Sequence, residues 1–202
     1  MIRTAREHLR IALYPIIRPR GGDFLYSDEE FMVMLRDIQY CKQLGCNGVV
    51  IGMLMADGTV DKARCARLVE TAYPLGVTFH RAFDWVCNPF EALEAIIGIG
   101  CERILTSGQK PTAEEGADLI DQLVREADDR IVIMPGSGVR AVNIVALAEK
   151  TGASEFHTSA RLQQASAMQY VNPGMKEDQA VVMAGEEEIR KIRDQLTALT
   201  VE

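Results

Sequence analysis

Apolar and polar positions follow two periods along the chain. Short β-rich apolar runs recur at Ile11–Ile17, Gly48–Gly52, Gly76–Phe79, Arg103–Thr106, Ile131–Met134 and Ser154–Phe156. Between them, apolar residues fall at three- and four-residue steps, the spacing of a helix with one packed face. After Ser27 the stripe Phe31, Met34, Leu35, Ile38, Cys41 and Leu44 runs up to Gly45, a natural C-terminal cap. Comparable stripes follow at Phe90, Leu93, Ile96 and Ile97, at Leu119, Ile120, Leu123 and Val124, and at Ile189, Ile192, Leu196 and Leu199. Ser27 with Glu30, Asn88 with Glu91, and Thr112 with Glu115 have capping-box spacing and predict helix starts, and Pro89 takes a first-turn position that needs no N–H. Strand and helix alternate without interruption, which predicts a parallel sheet clothed in helices. No linker divides residues 1–202, and Ala165–Ala184, with its Asn172-Pro173-Gly174 turn, is expected to be a loop over one end of the sheet.

Sorting the polar residues by strand end separates reactive groups from inert ones. The C-terminal ends are followed by Arg18, Arg20 and Asp23; by Asp57 and Asp61; by His80, Arg81 and Asp84; by Ser107, Gln109 and Lys110; by Gly136, Ser137, Gly138 and Arg140; and by His157, Ser159 and Arg161. The opposite ends carry small or neutral residues such as Cys46, Asn47, Pro74 and Gly100. Parallel α/β folds bind ligands at the carboxyl ends of their strands, so this asymmetry marks a functional face.

Composition narrows the partners. With 202 residues, 48% hydrophobic, the chain is long enough for one ordinary core. A net charge of -7 excludes the broad basic face that nucleic acid or an anionic membrane requires, and leaves a small ligand or another protein. No apolar run approaches the ~20 residues of a membrane span, and no charged-then-apolar leader opens the sequence. The five cysteines are scattered without a C-x-x-C pair, which fits reduced thiols in the cytoplasm rather than a disulfide framework or zinc site.

Several stretches carry candidate chemistry, each with a plainer reading beside it. In residues 78–84, "TFHRAFD", His80 and Asp84 have the types of an oriented acid–base pair, with His157 at another strand end as a second proton carrier; alternatively, Arg81 and Asp84 brace the loop. "MPGSGVR", residues 134–140, offers Gly136, Ser137 and Gly138 as a backbone anion site at a helix start, or simply as a tight turn. Arg18 and Arg20, on the Gly21-Gly22 hinge, suit a clamp on a carboxylate or phosphate, or ion pairs with Asp23 and Asp61 that lock loops. Met53 and Met55 are core fillers first and thioether ligands for Cu(I) second.

The ordered motifs "IIRPRGGDFLYS", "TFHRAFD", "RILTSGQ", "MPGSGVR" and "EFHTSA" closely resemble the CutC family, the copper homeostasis proteins, over about residues 5–170. The resemblance implies an α/β fold of TIM-type (β/α) barrel, a cytoplasmic homodimer, and a role in copper binding and tolerance. It also places Arg18, Arg20, Asp23, His80, Arg81, Asp84, Ser107, Gln109, Ser137 and His157 at the barrel mouth. Family members begin with two further β/α units, one ending in a Glu-Leu-Cys segment whose cysteine is a favoured copper ligand. Here Ile2–Leu9 resembles the second barrel helix, so an incomplete barrel of about six strands is expected, with edges that invite oligomerisation.

Three functions remain open at this point: copper binding, an enzyme acting on a small anion at the mouth, and a non-catalytic scaffold. In the enzyme reading Arg18, Arg20, Asp23, Arg81, Ser107, Gln109 and Gly136–Gly138 hold the ligand, while His80, Asp84 and His157 move protons.

Overall fold

The structure, a computed structural model, describes residues 1–175 and 177–199. It opens with a short helix α1 (Ile2–His8) and an extended segment, followed by α2 (Asp28–Gln43), β1 (Gly48–Ile51), α3 (Lys62–Ala72) and β2 (Gly76–Phe79). A 3₁₀ turn (Arg81–Trp85) leads to α4 (Pro89–Ile99), β3 (Arg103–Thr106), α5 (Ala117–Ala127), β4 (Val132–Pro135) and α6 (Ile144–Thr151). A pair of strands, β5 (Arg161–Gln164) and β6 (Val181–Ala184), and the helix α7 (Glu186–Leu199) complete it.

The strands β1 to β4 form one parallel sheet in sequence order, with Gly48 level with Gly76, Thr78 with Arg103 and Arg103 with Val132. The expected outer strands are present as extended chain rather than regular strand. On one margin Ile16 bridges Val50, with Ile17 N–H on Val50 O at 2.8 Å and Val50 N–H on Pro15 O at 2.9 Å. Pro15 has no N–H to add to a ladder, which suits it to an edge. On the other margin Gly136 bridges His157, whose N–H reaches Pro135 O at 2.8 Å. Six parallel segments therefore lie side by side, and the two outer ones are not paired with each other among the described residues. This is the parallel α/β sheet that the alternation predicts, curved into the incompletely closed barrel that the family resemblance implies.

Local sequence builds the helices as expected in most places. Ser27 accepts from Glu30 N–H while the Glu30 carboxylate takes Ser27 N–H, completing a capping box, and Asn88 Oδ1 accepts from Phe90 and Glu91 N–H. On α2 the stripe residues Met34, Ile38 and Cys41 are buried, and they pack in one cluster with Val49, Ile51, Val77, Phe79 and Ile104 of the strands. Each such side chain removed from water contributes about 1.5–3 kcal/mol.

Two expectations change. Thr112 does accept Glu115 N–H, but the chain only makes a turn there and α5 begins at Ala117. Ala113 N–H is instead held by Ser137 O, and Gly108 packs directly on Gly116. The stretch Ala165–Ala184 is not wholly loop, because its last residues Val181–Ala184 pair antiparallel with Arg161–Gln164, with all eight residues exposed.

At the N-terminal end of the strands a polar floor ties the two margins together. Arg103 binds Glu155 through Nε and Nη2 at 2.6 and 3.2 Å and Glu102 through Nη1 at 2.6 Å, and Tyr14 donates to Glu102 at 3.3 Å. The Tyr14 ring occupies the space that a Cβ on Gly48 would need, 2.0 Å from its Cε1. The reactive groups are left at the other end.

Candidate functional site

At the C-terminal ends of the strands lies a cavity of about 820 Å³. Its polar wall is Arg18, Asp23, His80 and Arg81, contributed by the loop after the first extended segment and by the turn after β2. Leu25, Leu54, Met55 and Trp85 also line it.

His80 is 3% exposed and caps the 3₁₀ turn, its Nδ1 accepting Ala82 N–H at 3.1 Å. A ring nitrogen that accepts carries no proton, so the neutral imidazole bears it on Nε2. That Nε2–H is buried and has no partner among the described residues. Burial pushes the His80 pKa down to about 4, and the nearby positive charge of Arg18 pushes the same way. Gly52 makes room for the ring, since a Cβ there would stand 2.5 Å from His80 Nδ1 and Cε1. Burial and the bond from Ala82 thus favour a neutral His80 with its proton on Nε2.

The Phe24 ring is flanked on both sides, by the Arg18 guanidinium at 4.6 Å and by the His80 ring at 5.0 Å. Arg18 donates through Nη2 to Gly22 O at 2.6 Å, and its side chain also interacts with the buried Tyr26 hydroxyl. Arg81 binds Asp84 through Nε and Ser107 Oγ through Nη2, both at 2.7 Å, which leaves Nη1 uncommitted among the described residues. Arg18, His80 and Arg81 thus bring donors to one cavity, a set that suits an anion or a developing oxyanion.

The remaining expected site residues hold that wall in place. Asp84, its side chain 5% exposed, accepts from Arg81 Nε, from Thr106 Oγ1 at 2.5 Å, from Ser107 N–H at 2.9 Å and from Gln109 N–H at 3.2 Å. It does not hydrogen-bond His80, so the pair read from "TFHRAFD" does not form; the carboxylate turns to the β3 end instead. Ser107 donates to Lys110 O at 2.5 Å and Gln109 Nε2 to Val86 O at 2.7 Å. Arg20 is directed away from the cavity: it grips Glu30 through Nε at 2.6 Å, Asp23 through Nη1 at 2.9 Å and Leu25 O through Nη2 at 2.7 Å, stacked over Tyr26. This is the loop-locking role. Asp61, which the locking alternative also named, caps α3 and faces Arg64.

Gly136, Ser137 and Gly138 do not line the cavity, and α6 starts only at Ile144. The turn is therefore not a helix N-terminus, and its groups are taken internally, with Ser137 Oγ on Pro111 O at 2.8 Å and Asn143 Nδ2 on Gly138 O at 3.0 Å. His157 sits on the outer bridge, away from the cavity lining, with its pKa lowered by partial burial. Met53 is fully buried core, whereas Met55 is 47% exposed at the cavity rim, so the two thioethers do not share an environment. Of the cysteines, four are buried and Cys87 is exposed; burial raises the thiols of Cys41, to about 11, and Cys101, to about 12. No group of three or more His, Cys, Asp or Glu side chains placed to hold a metal occurs among the described residues.

Phe24, Leu25, Gly52 and Trp85 belong to the site but were not singled out from the sequence. Each adjoins a motif that was: Phe24 and Leu25 follow Asp23, Gly52 ends a strand run, and Trp85 follows "TFHRAFD".

The sequence profile of the CutC family matches residues 1–162. A CutC family protein of Chromobacterium violaceum is 54% identical over 85% of this chain and 69% of its own, and one of Parabacteroides distasonis 49% identical over 98% and 82%. For the relative in Xylella fastidiosa, 52% identical, this chain spans only 60% of the length. Among solved structures, a protein of Streptococcus agalactiae provisionally named copper homeostasis protein CutC superposes with a TM-score of 0.74 at 31% identity, covering 77% of this chain and 78% of that one. An aldolase, QR15, superposes at 0.61 with 15% identity over 77% of this chain and 72% of its own, a likeness of fold alone. Profile, relatives and overall fold thus agree, and the chain belongs to the CutC family, whose name associates it with copper homeostasis.

Proposed function

We propose that this chain acts through its mouth cavity, binding a small anion, a carboxylate or phosphate, between Arg18, Arg81 and His80. The observation that carries the reading is the buried, unpartnered Nε2–H of His80, with the Arg18 charge near enough to act on the ring. A buried donor without an acceptor costs about 1–3 kcal/mol, a cost that a ligand oxygen removes. In an enzymatic reading, neutral His80 donates to a carbonyl or oxyanion as negative charge develops, and the arginines orient the substrate. Asp23 is the only carboxylate lining the cavity among the described residues, and so the base within reach. Calorimetric titration with inorganic phosphate and with malonate tests the site: Arg18→Ala and His80→Gln are expected to weaken binding at least ten-fold, and unchanged affinity in both variants overturns the reading.

Copper binding is the second reading, favoured by the name of the Streptococcus agalactiae protein. The donor set fits it poorly, because Met53 is core and the four buried cysteines do not line the cavity; Met55 is the one soft side chain there. Competition for Cu(I) against a chromophoric chelator without oxygen decides it: tight one-to-one binding lost in Met55→Ala supports it, and no binding removes it. We also propose a cytoplasmic homo-oligomer, formed through the open margins and the exposed β5–β6 pair, where Leu162, Val181, Val182 and Met183 stand in solvent. A monodisperse monomer in sedimentation refutes it. No described helix is long and apolar enough to cross a membrane.

A further inference from the structure

The cavity lining is mixed in chemistry. Beside its donors it includes Trp85, 73% exposed, with Met55 and Leu25, each 47% exposed. Exposed apolar side chains are ordinary when scattered. These three come from three successive strand-end loops and converge on one cavity of about 820 Å³, a volume typical of organic ligands and far larger than an inorganic anion needs.

The apolar part of the lining is also held in place. Trp85 ends the 3₁₀ turn that starts at Arg81, a turn fastened by Asp84 to the β3 loop. Next to it, Val86 O is held by Gln109 Nε2 at 2.7 Å and Cys87 N–H by Gly58 O at 3.1 Å. Ordering this indole on binding therefore costs side-chain rotamer freedom but little backbone freedom. An indole and a thioether together form a surface suited to a flat aromatic group, by stacking and by sulfur–aromatic contact.

Resting on the anion reading above, we propose that the ligand is an aryl anion: a carboxylate or phosphate that meets Arg18, Arg81 and His80 while its ring lies against Trp85, Met55 and Leu25. Trp85 is the only tryptophan in the chain, so its fluorescence reports directly on that part of the lining.

The experiment compares matched probes on the full chain, phenyl phosphate against inorganic phosphate and phenylacetate against acetate. Tryptophan emission is followed in the wild type and calorimetry is used for wild type and variants. The aryl member of at least one pair is expected to bind about ten-fold tighter, equivalent to burying roughly 60 Å² more apolar surface, and to change the Trp85 emission. Trp85→Ala is expected to abolish that gain, weakening the aryl anion about ten-fold more than the small one, and Met55→Ala to reduce it. Equal affinity within both pairs, or a Trp85→Ala loss that is the same for aryl and simple anions, overturns the aryl inference and leaves the anion site standing. Failure of all four probes to bind overturns both.

Discussion

Removing Asp84 tests whether the mouth is held by one buried carboxylate. In Asp84→Ala, Thr106 Oγ1, the backbone N–H groups of Ser107 and Gln109, and Arg81 Nε all lose their acceptor at once. Thr106 and Ser107 are fully buried, so water cannot step in without opening the loop. Each buried donor left unpaired costs about 1–3 kcal/mol, and the losses share one site and do not add, so about 3–5 kcal/mol in total is expected. Against a typical stability of about 5–15 kcal/mol this is large, a fall in Tm of about 10 °C for a chain of this size. Asp84→Asn, which keeps one acceptor oxygen but turns an amide N–H group toward existing donors, is expected to lose about half as much. Asp23→Ala is the control: its side chain is 72% exposed, and a loss within about 0.5 kcal/mol is expected. Urea unfolding followed by circular dichroism measures all three. A loss below about 1 kcal/mol for Asp84→Ala would refute the account, because it would mean that the β3 loop finds other acceptors without cost.

Two further outcomes follow from His80. Its folded pKa of about 4 lies below the unfolded value near 6.5, so between those limits the unfolded chain binds the extra proton. Stability from this group is complete above about pH 6.5 and is lost as pH falls toward 4, roughly 3 kcal/mol in all; unfolding free energies of wild type and His80→Gln measured across that range should converge as pH falls, and parallel curves would contradict the assignment. Gly52→Ala places a methyl group 2.5 Å from the His80 ring and should displace it, lowering stability by about 1–3 kcal/mol and weakening anion binding; an unchanged melting temperature would show that the ring has free room.

Much of this architecture is local in origin and could be read from the chain itself. The α2 start is written in Ser27 and Glu30 because a capping box closes within four residues, and its buried face is written in the spacing of Met34, Ile38 and Cys41. That the strands run parallel follows from alternation, since parallel neighbours need a crossover helix between them. The end of the sheet that carries the cavity was legible too, in the clustering of polar residues after the strands.

What the sequence alone could not determine is which of those polar residues face a ligand. Arg18 and Arg20 sit two positions apart in one loop, yet Arg20 is taken up by Glu30, ten residues away on α2, and Arg18 turns over Phe24 into the cavity. Asp84 is four residues from His80 but is claimed by donors of the β3 loop more than twenty residues on. The same holds for the helix starts: Thr112 has the correct local partner, and contacts from Ser137 and Gly108 still delay α5 to Ala117. Spacing specifies which groups are available at a strand end. Only folding decides their partners, because a buried polar group takes whichever satisfied geometry the neighbouring loops supply, and those neighbours are distant in sequence.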